Sequence, residues 1–567
     1  MRSMQIAEDR LPTRWQSLLF EAKACVFRWR RSLLDLSGSV RRQSHASLLC
    51  NAPVLAEFRS PLWPAEEAAE HLVAGKIHNL RVAARSLNGI EVAAGEVFSF
   101  WAQVGRARKR RGFVIGRELR EGCLVPAIGG GLCQLSGALY DSAVRAGLEV
   151  MERHRHSRVV PGSLAESDRD ATVFWNYLDL RFRASWPWRL EVVLDARELH
   201  VSIRGHAPAS PAAVPLAPTL RKSAPIGDCA SCGETECHRH EGAEPSGIRS
   251  TWLVDDDDWP EFSAYRKAEK AGQDRLLDFA SRAGLGQRVA ATGAKAVRRW
   301  LLWRGKALPQ ARLGGHQLIA GAHARRLGYR DTHLVIPQSV LPFLWMAGEL
   351  NGRSYDVLMT ALPMYEIQRR LDKASALHPS SRTLSDFRVD PALAEAERNA
   401  LARALHWVTP HAEILDMAGV RALPLQWQRP ALRALGSRTT ETPARVLLPA
   451  SSLARKGAIE LREALTGLRV EVLLPSGAED HVNFWQGFQV MRVGSIGEGV
   501  DAADIVVLPA WIEHQPRGLL LAISCGKPVI ATQACGLPSE LPWHKVAEGD
   551  TENLRAKIIE MLAPLRV

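Results

Sequence analysis

The chain has 567 residues, 46% of them hydrophobic and 24% charged, and 73 Lys+Arg against 61 Asp+Glu give a formal charge of +12. This composition excludes a wholly disordered, collagen-like or disulfide-scaffold protein, and the length predicts three or four structural units. The positive excess admits an anionic partner such as nucleic acid, a phospholipid surface, a nucleotide sugar or a lipid-linked phosphate, without choosing among them.

Residues 1–43 read as a basic arm. Arg28, Arg30, Arg31, Arg41 and Arg42 surround an amphipathic stretch with Trp15, Leu18, Leu19, Phe27, Trp29, Leu33 and Leu34 as its apolar material. Such a helix either lies on an anionic membrane surface or packs on the next domain. No segment reads as a membrane span. The longest uncharged run, Gly122 to Tyr140, carries five glycines and would make a poor bilayer helix. Glu8, Asp9 and Arg10 interrupt any signal-peptide core. The expected location is therefore the cytoplasm, with the arm offering peripheral attachment to the inner face of the membrane.

Residues 44–205 read as an α+β domain. Ile77, Leu80, Ala84 and Leu87 recur at helical spacing, and Asn88-Gly89 supplies a stop. Val97–Phe100, Ala171–Trp175 and Leu190–Leu194 have strand composition. Pro208, Pro211, Pro215 and Pro218 mark a linker, so residues 206–250 are expected to hold this linker and a Cys/His cluster. The remainder divides into 251–430 and 431–567. Its short apolar runs, Tyr355–Met359, Arg445–Leu448, Val470–Leu474, Ile505–Leu508 and Val529–Ala531, are separated by helical segments such as Ala392 to Trp407. Buried parallel strands have this pattern, which predicts two doubly wound α/β lobes.

Gly129-Gly130-Gly131 precedes Cys133 at the start of a helix-forming segment that ends at Gly147. A helix N-terminus favours a thiolate. His154 and His156 are two apart, and on a strand they would share one face. A cysteine at a helix start and a histidine on a strand suit a thiol nucleophile and its base, with Asp170 or Asp179 orienting the imidazole. The same groups could instead bind one metal ion, or Cys133 could be a small buried residue beside structural histidines.

The run Ala94–Phe100, then Gly129–Ser136 with Leu139-Tyr140, Gly147-Leu148, Glu152-Arg153-His154, His156-Ser157 and Asp170–Val173, resembles the VanW family over roughly residues 70 to 205. That family is named for an accessory protein of vancomycin-resistance clusters. The resemblance implies a cell-envelope connection and sets Cys133, His154, His156 and Asp170 on motif positions. Between these segments Arg106, Arg108, Lys109, Arg110 and Arg111 form a basic run. It reads as a solvated loop or as a phosphate or phospholipid contact. It lacks interleaved aromatics, and the chain has no nucleic-acid module, so no nucleic-acid partner is expected.

Cys229, Cys232, Cys237 and His240 fall within twelve residues of one another. Three soft ligands and one imidazole suit a structural tetrahedral zinc, with an iron–sulfur cluster as the alternative and free surface cysteines as the plainer one.

In the C-terminal half, Arg455-Lys456-Gly457 follows a strand and opens a helix, which makes a phosphate site. Leu508–Gly518, the helix Leu519–Ser524 and Gly526-Lys527-Pro528 together resemble group-one, GT-B-type glycosyltransferases, over about 440 to 550 and more weakly over 330 to 440. Thr409-Pro410-His411 resembles the point where such chains leave their first lobe. The resemblance implies that Lys456, with Arg455, holds donor phosphate and that Glu513 contacts the sugar. The second glutamate of the family's pair falls on Leu521, and the expected arginine falls near Ser452.

The expectation is therefore a protein that transfers or binds a sugar for an envelope polysaccharide or glycolipid. It would be a retaining, nucleotide-sugar-dependent glycosyltransferase with a degenerate motif, acting on an envelope glycan or lipid-linked acceptor. Two alternatives stand beside it. In one, the first domain is a Cys/His thiol enzyme acting on an envelope precursor, and the transferase-like half only binds glycan. In the other, the chain is a non-enzymatic, metal-stapled scaffold at the membrane.

Overall fold

The computed structural model describes residues 14–35, 40–63, 70–120, 123–156, 164–175, 177–207, 248–255, 259–272, 274–277, 285–304, 308–386, 388–430 and 443–563. The cysteine cluster Cys229, Cys232, Cys237 and His240 and the proline-rich linker lie outside the described residues. The chain forms two compact units. One is the described part of Met1–Ser250 with Leu327–His333 and Gly348–Ser354; the other is Thr251–Arg326, Leu334–Ala347 and Tyr355–Val567.

The first unit is α+β. Its four-stranded antiparallel sheet runs in the order Val54–Pro61, Glu198–Gly205, Trp188–Leu194, Ile90–Val92. Trp188–Leu194 and Glu198–Gly205 alternate buried and half-buried residues along their whole length. That alternation is what one solvated face and one packed face require. Asp195 makes the turn between them, its Oδ1 accepting the N–H groups of Arg197 and Glu198, each at 2.7 Å. The helix Glu70–Leu87 buries Ile77, Leu80, Ala84 and Leu87, the spacing that the sequence predicts. The helix Leu132–Arg145 packs on the edge strand Val54–Pro61.

Two sequence expectations need correction here. The strand carrying the histidine motif, Glu149–Glu152, ends before His154, so the two histidines do not share a strand face. Ala171–Trp175 is extended chain with one isolated bridge, Phe174 to Leu178. Its polar groups go elsewhere: Thr172 N–H donates to His154 O at 2.8 Å, and Ser136 Oγ donates to Ala171 O at 2.6 Å.

The second unit carries the α/β lobes. One six-stranded sheet runs Arg275–Leu277, Arg249–Leu253, Asp331–Pro337, Ser354–Leu358, Trp407–Thr409, Ala422–Pro424. The other runs Gln489–Val493, Val470–Pro475, Ala444–Leu447, Ile505–Leu508, Val529–Thr532, His544–Val546, with every neighbouring pair parallel. Ile505–Leu508 and Val529–Thr532 are buried at every position, as strands covered on both faces must be. The strand order reverses between Ala444–Leu447 and Ile505–Leu508. In open parallel sheets the crevice beyond the carboxyl ends at such a reversal is where ligands bind. Among the described residues, no helix is long and apolar enough to cross a membrane.

Candidate functional site

The two segments that leave the switch-point strands carry the candidate donor residues. After Ala444–Leu447, a single turn Ala454–Lys456 leads through Gly457 into the helix Ala458–Leu465. Gly457 has φ +74°, and a Cβ there would lie 2.0 Å from Pro509 O. Only glycine lets the Lys456 turn lie against the segment after Ile505–Leu508. Trp511 and Ile512 donate their N–H groups to Arg455 O at 3.1 and 3.2 Å, which fixes the two segments together.

Lys456 Nζ then lies 2.9 Å from Glu513 Oε2 and 3.1 Å from Ile512 O. Glu513 Oε1 accepts the N–H groups of His514 and Gln515 at 2.8 and 2.9 Å. Burial would raise the Glu513 carboxyl, but the Lys456 ammonium and the Gln515 N–H outweigh it and hold it below the usual carboxylate range. Arg455 is held below its ordinary value by burial, against the pull of Asp386 and Glu513. The arrangement is a buried carboxylate paired with one ammonium beyond the carboxyl ends of the strands where the sheet order reverses.

Two histidines, His411 buried and His514 half-buried, lie beside this pair. His411, just after Trp407–Thr409, shares a hydrogen bond with Glu513 O through Nε2 at 3.0 Å. Burial lowers His411 to about 4 and His514 to about 3, so both are neutral. Arg370 ties in the neighbouring helix, bonding Glu366, Glu413 and Trp511 O. Sequence reading assigned no role to His514, Arg370 or Glu413, because a lone residue in a helix or loop carries no signal until the fold brings it to a site.

The departures from the transferase pattern have local causes. Ser452 is buried, and its Oγ accepts the Trp485 indole N–H at 2.9 Å. Leu521 packs against the core of the lobe. Neither position offers a charged group to a ligand.

In the first unit, Cys133 is the second residue of the helix Leu132–Arg145, whose N-cap is Gly131 at φ 103°. A Cβ on Gly131 would lie 2.2 Å from Lys76 Cγ. Asn79 Nδ2 donates to Gly130 O at 3.0 Å and pins the same turn. Cys133 Sγ is 3.5 Å from Thr172 Oγ1 and lies within electrostatic reach of His156. His156 Nδ1 lies 2.6 Å from Asp170 Oδ2, while Asp170 Oδ1 faces Arg153 at 3.2 Å. Cys133, His156 and Asp170 are thus brought together. His154 points away, to Glu152 Oε1 at 2.9 Å. Asp179 is committed to Ser99 Oγ, the Trp101 N–H and Arg181. Among the described residues, the one cluster of three potential metal ligands is Asp195, Glu198 and His200 on the hairpin, and it includes none of these groups.

Comparison with known proteins gives two domain assignments. Residues 75–204 match the family model for VanW like protein, and residues 445–564 match that for glycosyl transferases group 1. The chain is 36% identical over 106 residues to the uncharacterized protein YoaR of Bacillus subtilis (19% of this chain, 34% of the relative). It is 33% identical over 131 residues to the vancomycin B-type resistance protein VanW of Enterococcus faecalis (22% of this chain, 47% of the relative). The chain therefore spans between 34% and 47% of the length of these curated relatives. Among solved structures, sucrose-phosphate synthase from Thermosynechococcus elongatus aligns with 45% of this chain and 70% of its own, at 17% identity and a TM-score of 0.32. The protein carries a VanW-like domain followed by a group 1 glycosyltransferase domain.

Proposed function

We propose that this chain, in which a VanW-like domain precedes a group 1 glycosyltransferase domain, binds a nucleotide sugar beside Lys456 and Glu513 and transfers the sugar to an envelope glycan or lipid-linked acceptor with retention. The observation that carries the reading is the Lys456–Glu513 pair, 2.9 Å apart where the strand order of the parallel sheet reverses. On donor binding, Lys456 turns from Glu513 to the diphosphate, and its charge offsets the charge that develops on the leaving group. Glu513, freed on one oxygen, accepts a hydroxyl of the sugar. Its other oxygen stays on the His514 and Gln515 N–H groups. Arg455 adds positive potential to the turn. With Ser452 in place of an arginine, phosphate binding rests on fewer cations, and Leu521 in place of a glutamate removes an acidic contact to the donor's hydroxyls; both predict weak donor affinity.

The helix Arg14–Asp35 supports peripheral attachment to an anionic membrane on the cytoplasmic side. Trp15, Leu18, Leu19, Trp29 and Leu33 are exposed on it, beside the exposed Arg30.

The test is a thermal-shift and turnover panel of UDP-, GDP- and ADP-sugars on the full chain. At least one donor should raise the melting temperature, and Lys456→Met should abolish that shift. The anomeric configuration of the product, read by NMR, should match that of the donor. If no donor shifts the melting curve and none is hydrolysed or transferred, the reading is wrong.

A further inference from the structure

The VanW-like domain holds a second constellation that sugar transfer does not use. Cys133 Sγ sits at the N-terminal end of a 14-residue helix, 3.5 Å from Thr172 Oγ1 and within electrostatic reach of the His156 ring. The His156 ring in turn bonds Asp170 through Nδ1 at 2.6 Å, and the His156 backbone N–H donates to the same carboxylate oxygen at 2.7 Å. Asp170 is fixed from its other side by Arg153, whose Nε donates to Asp170 O at 2.8 Å and whose guanidinium lies over the Tyr140 ring. Thiol, imidazole and carboxylate are gathered in one place, with the carboxylate holding the imidazole. A basic run passes beside the turn that presents Cys133. A Cβ on Gly129, in that turn, would meet Ala107 Cβ at 2.5 Å, so Ala107 of the Arg106–Arg111 run packs against it. Lys109, Arg110 and Arg111, farther along the run, are exposed.

We propose that Cys133, His156 and Asp170 form a thiol acyl-transfer site for amides or esters whose acyl portion carries negative charge. In the reacting form the proton of the Cys133 thiol rests on His156 Nε2, the ring nitrogen not bonded to Asp170, which leaves the sulfur as thiolate. The thiolate attacks the carbonyl carbon, forming a C–S bond. As the tetrahedral adduct collapses, its C–N or C–O bond breaks, and the leaving amine or alcohol takes the proton from His156. Water then attacks the thioester and gives a proton to His156. The C–S bond breaks, the acid is released, and the thiol recovers its proton. An amine acceptor in place of water would give transfer by the same steps. Asp170 holds Nδ1–H throughout, which fixes the ring and leaves Nε2 to carry the moving proton. A base that is buried between a thiol and a carboxylate also gains protons readily. Burial lowers His156, but the bonds to Asp170 and Cys133 outweigh it and push it up to about 9.

The chain carries its own reference thiols, since Cys25 and Cys50 are exposed. In the full-length protein treated with iodoacetamide at about pH 6, site-resolved mass spectrometry should find Cys133 alkylated at least about tenfold faster than Cys25 and Cys50. His156→Gln should bring Cys133 to their rate while circular dichroism remains native. With p-nitrophenyl hydrogen succinate, the protein should release p-nitrophenolate in a burst and gain a succinyl group on Cys133. The neutral p-nitrophenyl acetate should react about tenfold more slowly. Succinyl p-nitroanilide tests whether amides are cleaved as well as esters. Lys109→Glu with Arg110→Glu should erase the preference for the anionic ester. The proposal is overturned if Cys133 follows Cys25 at every pH, or if His156→Gln leaves its rate unchanged in a folded protein. Equal rates for the two esters, with the acyl group on Cys133, overturn the assignment of an anionic substrate.

Discussion

Asp170 Oδ2 accepts two bonds from one residue, from His156 Nδ1 at 2.6 Å and from the His156 backbone N–H at 2.7 Å. A single carboxylate oxygen therefore fixes both the ring and the chain of the histidine that faces Cys133. Burial raises the Asp170 carboxyl, but the two bonds from His156 outweigh it and hold it below its ordinary value of 3.8. His156 moves the other way, from 6.5 up to about 9.

These opposed shifts set the pH window of the pair. The stability due to Asp170 is present above 3.8 and is lost as pH falls. The stability due to His156 is complete below 6.5 and is lost as pH rises through about 9. Asp170→Asn should therefore cost most between these ordinary values, about 1–3 kcal/mol for a hydrogen-bonded charged pair. The difference from wild type should shrink above about pH 9. Urea midpoints at a series of pH values check this; a difference independent of pH would contradict it.

At the candidate donor site, Lys456 is what makes a buried Glu513 tolerable. Lys456→Met should cost about 3–5 kcal/mol by leaving a buried carboxylate without its cation. The double variant with Glu513→Gln should recover most of that loss, because the neutral amide can keep the His514 and Gln515 N–H groups on its carbonyl oxygen. A double-mutant cycle in urea measures the coupling. Additive losses would mean that the two side chains do not support each other.

How much of this could be read from the residues depends on the range of the interaction. The helix Glu70–Leu87 shows in the spacing of Ile77, Leu80, Ala84 and Leu87, because amphipathic periodicity is local. The all-buried strands Ile505–Leu508 and Val529–Thr532 show as apolar runs for the same reason. Gly457 and Lys456 were legible as a turn entering a helix. The choice of His156 over His154, or Asp170 over Asp179, was not. It depends on Ser99, Arg181 and the Trp101 N–H claiming Asp179, contacts 78 or more positions away in two of the three cases. The strand reading of Ala171–Trp175 failed because its composition suits a ladder but its polar groups are taken by His154 and Ser136. Ser452 reads as a lost phosphate contact, while its packing under Trp485 becomes visible only in three dimensions.

Glu397 offers a pH test away from both sites. Its carboxyl accepts the Gln338 amide at 3.0 Å and the Met364 N–H, which ties the helix Pro391–Arg403 to the segment after Ser354–Leu358. Burial raises it from 4.5 to about 7 despite those bonds. A raised group stabilises fully below its ordinary value, and this stability is lost as pH rises through about 7. The wild type should lose up to about 3 kcal/mol on this account across the interval. Glu397→Gln should lack that component, so the variant should gain on the wild type as pH rises. Parallel pH profiles of the two proteins would refute the assignment.

The last prediction concerns the pair that joins the start of the helix Pro260–Glu269 to the start of the helix Arg517–Ser524. Arg517 holds Glu261 with both guanidinium nitrogens, at 2.6 and 2.7 Å, and stacks over Trp427 at 5.0 Å. The Glu261 side chain has no exposure to solvent, and it also accepts the Gln428 N–H at 2.7 Å. The fork explains why arginine stands here: two parallel bonds satisfy a carboxylate that water cannot reach. Arg517→Lys keeps the charge but loses the fork and the stacking, so it should cost about 1–3 kcal/mol. Arg517→Met leaves the buried acid without a cation and should cost about 3–5 kcal/mol. Adding Glu261→Gln to Arg517→Met should return part of the loss by removing the unpaired charge. Denaturant titration of the four proteins gives the order directly, with the methionine variant lowest. A methionine variant as stable as the lysine one would mean that the pair's charge contributes nothing and that its packing alone holds the two helix ends.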